Sequence, residues 1–171
     1  TLLVSSAASD VYKRQGVHST WQWRSWPCHW RVSGPEEGPA LLLLHGFGAA
    51  SGHWRHCAPL LAHQGWRVYS LDLLGFGQSA QPARPMDNRL WALQVCAFLD
   101  QVVQGPAVVI GNSLGGLTAL TAAVLAPNRV RAVVAAPLPD PALIQPLPKR
   151  RTPWRRCWQR RLLALVLHLL P

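Results

Sequence analysis

Apolar residues in this chain gather into short runs separated by clusters of Gly, Pro, Ser and Asn, and the runs alternate between two kinds of pattern. Residues 21–24 and 28–32 are aromatic and β-branched, which predicts an antiparallel hairpin turning around Ser25, Trp26 and Pro27. After a turn cluster over 33–39, the continuous run Ala40-Leu41-Leu42-Leu43-Leu44 fits a strand buried on both faces. Residues 51–63 place Trp54, Ala58 and Leu61 at helical spacing, with Gly65 positioned to end the helix. A strand follows over 66–71, then a loop over 72–85 rich in Gly, Gln, Ser and Pro. A helix starting at Asp87 or Asn88 carries Leu90, Leu93, Cys96, Ala97 and Val102 near one face. Residues 107–110 and 130–135 read as two further strands, and the small and aliphatic residues of 114–125 between them read as a buried helix. Strands alternating with helices predict a doubly wound α/β fold, with a mostly parallel sheet covered on both faces.

With 49% hydrophobic and 14% charged residues, the chain has the means to bury a core and is no disordered polymer. Its 171 residues fall short of the about 250 that a catalytic α/β domain commonly needs. The chain starts at Thr1, its one Met is Met86, and residues 1–15 look like adapter read-through, so the expectation is an extraneous leader. The basic pair Lys13-Arg14 follows the leader's apolar residues instead of preceding them, unlike a secretory signal. The chain stops within an apolar run at Leu169-Leu170-Pro171, which reads as cut. The expected organisation is a core half over 16–140 and the start of a helical cap over 141–171.

The net charge of +10 is concentrated in one C-terminal stretch, with Lys149, Arg150, Arg151, Arg155, Arg156, Arg160 and Arg161 close together. A local cluster argues against a nucleic-acid-binding field. Over 149–170 it alternates with Trp and Leu, so it fits a solvated face beside a buried one or a peripheral contact with an anionic membrane. No run reaches the roughly 18 apolar residues of a membrane span. Cys28, Cys57, Cys96 and Cys157 form no C-x-x-C pair, which implies buried free thiols in a reducing, cytoplasmic setting. No residue cluster implies a metal or a cofactor.

The chemistry is carried by Gly111-Asn112-Ser113-Leu114-Gly115, between the strand ending at Ile110 and the helix starting at Leu114. A serine becomes a nucleophile when a base can take its proton and its Oγ stands clear of the backbone, which a sharp strand-to-helix turn achieves. Gly111 and Gly115 leave space where the chain doubles back. The alternative is that the glycines serve only close packing and Ser113 caps the helix. Upstream, His45-Gly46-Phe47-Gly48 follows the buried strand directly, so the N–H of Phe47 can stand beside that of Leu114 as an oxyanion hole. His45 is read as a brace for this loop. Asp72, opening Asp-Leu-Leu-Gly-Phe-Gly-Gln-Ser, is read as a turn-stabilising carboxylate without chemistry.

As a set, these three signatures resemble the α/β-hydrolase superfamily over roughly residues 20–140. Asn112 and Trp21-Gln22-Trp23-Arg24 add a narrower likeness to chlorophyll-dephytylating and pheophytinase-like hydrolases. The resemblance implies a serine esterase with a nucleophile, an acid and a histidine in that chain order. After Ser113 the chain offers Asp140 as candidate acid and His168, which lacks a preceding strand and is rejected as base. The expectation is that acid and base lie beyond residue 171 and that the fragment alone is inactive. The substrate is expected to be a small-molecule ester with an apolar moiety; carbon–carbon hydrolysis, perhydrolysis and a non-catalytic binding module are the alternatives. A dehalogenase or epoxide hydrolase of the superfamily uses Asp where this chain has Ser113.

Overall fold

The computed structural model describes residues 16–136. The expected leader, the region from Asp140 through the expected cap, His168, Cys157 and the basic stretch 149–170 all lie outside these residues. β1 (Val17–Trp23) and β2 (Trp26–Ser33) form the antiparallel hairpin, and β3 (Ala40–Leu44), β4 (Arg67–Leu71), β5 (Ala107–Gly111) and β6 (Val130–Ala135) follow. Together they make one sheet in the order β1-β2-β4-β3-β5-β6. β4, β3, β5 and β6 run parallel, and β2 joins β4 antiparallel. The helices are α1 (Cys57–His63), α2 (Asn88–Phe98) and α3 (Leu114–Leu125).

β3 has no polar residue because both its faces are covered. Leu42 and Leu44 join the main core with Leu71, Trp91, Val95, Phe98, Ala119 and Ala122. Leu41 and Leu43 point the other way, packing with Val68 against Trp54, Ala58 and Leu61. A strand alternating its side chains between two dry layers must be apolar throughout. Asn88 couples the two helices of the main layer: its Nδ2 donates to Thr121 Oγ1 at 2.6 Å, and Thr118 Oγ1 donates to its Oδ1 at 3.0 Å.

Four details depart from the sequence reading. The hairpin turns at Arg24-Ser25, with Arg24 at φ 58°, and Pro27 lies within β2 opposite Gln22. β4 pairs only with residues 30–33 of β2, so Pro27 breaks no ladder there, and its carbonyl accepts the Ala80 N–H at 2.8 Å. The single helix expected over 51–63 is a 3₁₀ turn, Ser51–Trp54, followed by α1. The helix from Asn88 ends in a π turn, Leu99–Val103, closed by Gln104 at φ 58°. Cys28 is buried and Cys96 partly so, but Cys57 is exposed, because it opens α1 on the solvent side. Among the described residues no helix is long and apolar enough to cross a membrane.

Candidate active site

The chain runs from β3 outward to β4 and then returns to the other side of β3 as β5. The strand order therefore reverses between β3 and β5, and in open α/β sheets ligands bind outside the carboxyl ends of the strands at such a point. His45 leaves β3 there, and Ser113 leaves β5.

Ser113 has φ 53° and ψ −112°, a conformation that L residues rarely hold. Its hydroxyl makes no cap hydrogen bond to α3, so capping does not account for it. The Asn112 N–H continues the sheet to the Leu44 carbonyl at 3.0 Å, and the Gly115 N–H returns to the Asn112 carbonyl at 2.9 Å. A Cβ on Gly111 would fall 2.2 Å from the Gly115 carbonyl oxygen, and one on Gly115 would fall 2.3 Å from that of Leu44. Gly111 is thus demanded by the backbone of the turn itself, and Gly115 by the close approach of the end of β3.

The loop after β3 lies against this turn. A Cβ on Gly46 would be 3.3 Å from Asn112 Nδ2 and 3.5 Å from Ser113 Cβ. The loop itself turns through the Ala49 N–H bonded to the Gly46 carbonyl at 3.2 Å, with Gly48 at φ 71°. Among the described residues neither the Phe47 N–H nor the Leu114 N–H has an acceptor. Phe47 is 80% exposed and meets Phe76 edge-on at 5.5 Å between ring centroids, and Phe76 in turn meets His45 at 5.4 Å.

His45 is wholly buried. Its Nε2 accepts the Leu73 N–H at 3.0 Å, so the proton sits on Nδ1, which donates to the Gly46 carbonyl at 2.8 Å. Burial holds the ring's pKa below its ordinary value, and the Gly46 bond and the Asp72 charge only partly offset this. Both nitrogens are engaged, so His45 ties the 45–48 loop to the backbone at Leu73.

Asp72, just past β4, organises the neighbouring loop. Its carboxylate accepts the backbone N–H groups of Ser51 and of Gln78 (2.9 Å) and pairs with His29 Nδ1 at 2.9 Å. Its carbonyl accepts from the Ser79 hydroxyl and from Gln94 Nε2. Burial alone would raise its pKa, but the donors from Gln78, Ser51 and His29 outweigh that and lower it. Gly77 is fixed by the same group, since its Cβ would fall 2.3 Å from Asp72 Oδ2.

His29 and Gln94 did not stand out in the sequence. Gln94 follows Leu90 by four positions, on the apolar stripe of α2, and a polar residue there is a detectable sign of a buried hydrogen-bonding task. His29 carries no such local sign, because its partner is 43 residues away. The structure brings His45, Gly46, Phe47, Gly48, Gly111, Ser113, Leu114 and Gly115 to one end of the sheet; Asp140 lies outside the described residues.

Residues 39–163 match the model of the α/β hydrolase fold family. The chain belongs to that family. It is 36% identical over 104 residues to bifunctional epoxide hydrolase 2 of Sus scrofa, covering 60% of this chain and 19% of that protein. It is 42% identical over 109 residues to the magnesium-chelatase 30 kDa subunit of Rhodobacter capsulatus, covering 59% of this chain and 36% of that one. Among solved structures, a bacterial membrane phospholipase A superposes with a TM-score of 0.71 at 25% identity, over 94% of this chain and 55% of that one. A probable hydrolytic enzyme of Pseudomonas aeruginosa superposes with 0.64 at 28% identity, over 71% and 41%. The chain thus spans about a fifth to about a third of the length of the curated relatives named here.

Proposed function

We propose that the protein bearing this chain is a serine hydrolase that cleaves a carboxylic ester with an apolar moiety through an acyl-enzyme on Ser113. The observation that carries this reading is the conformation of Ser113, a positive-φ serine whose hydroxyl caps nothing, at the reversal point of the sheet. A serine that served packing alone would have no reason to hold a costly backbone shape. In the reaction Ser113 Oγ attacks the ester carbonyl and passes its proton to a base, and the negative oxygen develops beside the N–H groups of Phe47 and Leu114. Donors already fixed by the two turns stabilise that charge without reorganising. The nearby rings of Phe47 and Phe76 favour an apolar group on the substrate.

By the family's chain order the acid and the base follow Ser113, with Asp140 the candidate acid within this chain. The relatives named as epoxide hydrolases share the framework, but a serine nucleophile supports acyl transfer. The likeness to chlorophyll-dephytylating enzymes makes a phytyl-type ester the first substrate to try. Peripheral membrane contact through 149–170 and a cytoplasmic location belong to the same proposal.

A fluorescent fluorophosphonate should label Ser113, and Ser113→Ala should abolish labelling and lower kcat on a chromogenic short-chain ester about 10⁴-fold in the intact enzyme. Turnover unaffected by the substitution would refute the reading. Absence of both labelling and turnover in the intact protein would also refute it and would favour a non-catalytic member of the fold, a reading supported by the similarity to a magnesium-chelatase subunit.

A further inference from the structure

The loop after β3 carries Phe47, yet its own backbone does little to hold that residue. Gly46 and Gly48 flank it, Gly48 at φ 71°, and glycines leave a chain free to take other shapes. Gly46 lies against the Ser113 turn, which fixes where the loop begins. Its tip is another matter. Among the described residues neither the N–H nor the carbonyl of Phe47 makes a hydrogen bond, and the turn closes around it through the Ala49 N–H on the Gly46 carbonyl. The side chain stands mostly in the open and leans edge-on against the ring of Phe76.

Phe76, by contrast, is fixed through both backbone and side chain. Its N–H donates to the Leu73 carbonyl at 3.0 Å, and its carbonyl accepts the Ser79 N–H at 3.2 Å. Its ring packs against His45 at 5.4 Å and against Trp91 of α2 at 5.9 Å between centroids. The loop beneath it is anchored to α2 as well: Gln94 Oε1 accepts the Leu74 N–H at 3.0 Å, and Trp91 Nε1 donates to the Leu74 carbonyl at 2.9 Å. On the far side the Asp72 carboxylate holds the Gln78 N–H.

The two loops therefore form a closed circuit. The Leu73 N–H reaches His45 Nε2, the Leu73 carbonyl holds Phe76, and the Phe76 ring returns to His45 and on to Phe47. In this circuit Phe47 is the member with no hydrogen bond of its own, and Phe76 is the rigid body it rests on. A donor lowers a barrier only if it already stands where the negative charge develops, and small misplacements are costly.

We propose that Phe76 is a positioning residue for the oxyanion hole: its ring, held by the 72–80 loop and α2, fixes the ring of Phe47 and with it the Phe47 N–H. This inference rests on the Ser113 reading above.

The test uses the intact enzyme with chromogenic nitrophenyl esters of acetate, butyrate and octanoate. Phe76→Leu keeps an apolar side chain but loses the aromatic edge contact. It should lower kcat and kcat/KM together about tenfold, a part of the on the order of 10²–10³ lost when an oxyanion donor is removed outright. The factor should be the same for all three esters, and Phe76→Tyr should restore most of it. Phe47→Ala keeps the N–H but deletes the ring, so it should lose a similar factor, and the double variant should lose no more than either single one. Urea midpoints check that each variant folds; should Phe76→Leu fail to fold, Phe47→Ala, which alters an exposed ring, decides. An unchanged kcat, losses that multiply in the double variant, or a loss confined to KM that grows with acyl length would each overturn the proposal, the last by placing the ring against the substrate instead. Fluorophosphonate labelling separates the two failures. A Ser113 that is labelled and active but indifferent to Phe76 sinks this inference alone, whereas an intact protein neither labelled nor active sinks the Ser113 reading and this inference with it.

Discussion

Ser113, His45 and Asp72 stand at the ends of three adjacent parallel strands, yet they differ in how far the sequence reveals them. The sharp turn at Ser113 is readable because Gly111 and Gly115 flank it, and each glycine answers a backbone contact under 2.5 Å for a Cβ. The bracing by His45 is readable because the residue sits between a buried strand and a glycine. The load on Asp72 is hidden, since its partners Ser51, Gln78 and His29 are scattered over three segments and only folding assembles them. These two groups give stability a two-stage pH dependence. His45 has a folded pKa below the ordinary 6.5, so below that pH the unfolded chain takes up a proton that the folded one refuses, and stability falls. Asp72 has a folded pKa below the ordinary 3.8; its contribution is complete above that value and is lost as pH drops through the lower folded value. Urea unfolding from about pH 8 to about pH 3 should therefore show one decline starting near pH 6.5 and a second starting near pH 4. Asp72→Ala should remove the second and cost about 3–5 kcal/mol at neutral pH, because it strands His29 and the buried Ser51 N–H and also frees the Gln78 N–H. An unchanged acid limb in that variant would refute the assignment.

Elements whose limits are set by local chemistry match their sequence patterns closely. α3 and β6 have the limits expected, because each apolar run is bounded by residues that stop it. The 51–63 segment broke because Pro59 has no N–H to give to Arg55; a helix containing it must start within the preceding turn, and α1 starts at Cys57. That rule was available in the sequence and outweighs the spacing of Trp54, Ala58 and Leu61. Pro27 can lie within β2, and the turn ahead of it, because β4 pairs only with residues 30–33 of β2 and leaves Pro27 unpaired on that side. α2 starts where the sequence suggests, with Asp87 at φ −136° and its Oδ1 accepting the Leu90 N–H at 2.8 Å. Asp87→Ala leaves that N–H without its cap and should lower stability by about 1 kcal/mol in a urea melt. Asp87→Asn retains an acceptor and should recover most of the loss; equal losses in both would show that the cap is not the cause.

Across the whole molecule, the alternation of strands and helices foretold a sheet covered on both faces, because only a strand dry on both sides can read as Ala-Leu-Leu-Leu-Leu. It did not foretell that the N-terminal hairpin would add to β4 and bring His29 to Asp72, since pairing between distant strands leaves no local trace. That docking puts Cys28, on β2, into the main core with no exposed surface, and burial pushes its thiol up to about 11 against the weaker pull of Gln94 and Trp23. Cys57 lies exposed on α1. A thiol reacts as thiolate, so at neutral pH Cys28 is shielded twice, by inaccessibility and by protonation, and both protections end only when the sheet opens. Pulses of iodoacetamide followed by peptide mapping should find Cys57 modified before Cys28, and Cys28 modified only at a rate that rises with urea in step with global unfolding. Cys28 modified as fast as Cys57 without denaturant would mean that the hairpin leaves β4 on its own, and the Asp72–His29 pair would then open without unfolding the rest of the sheet.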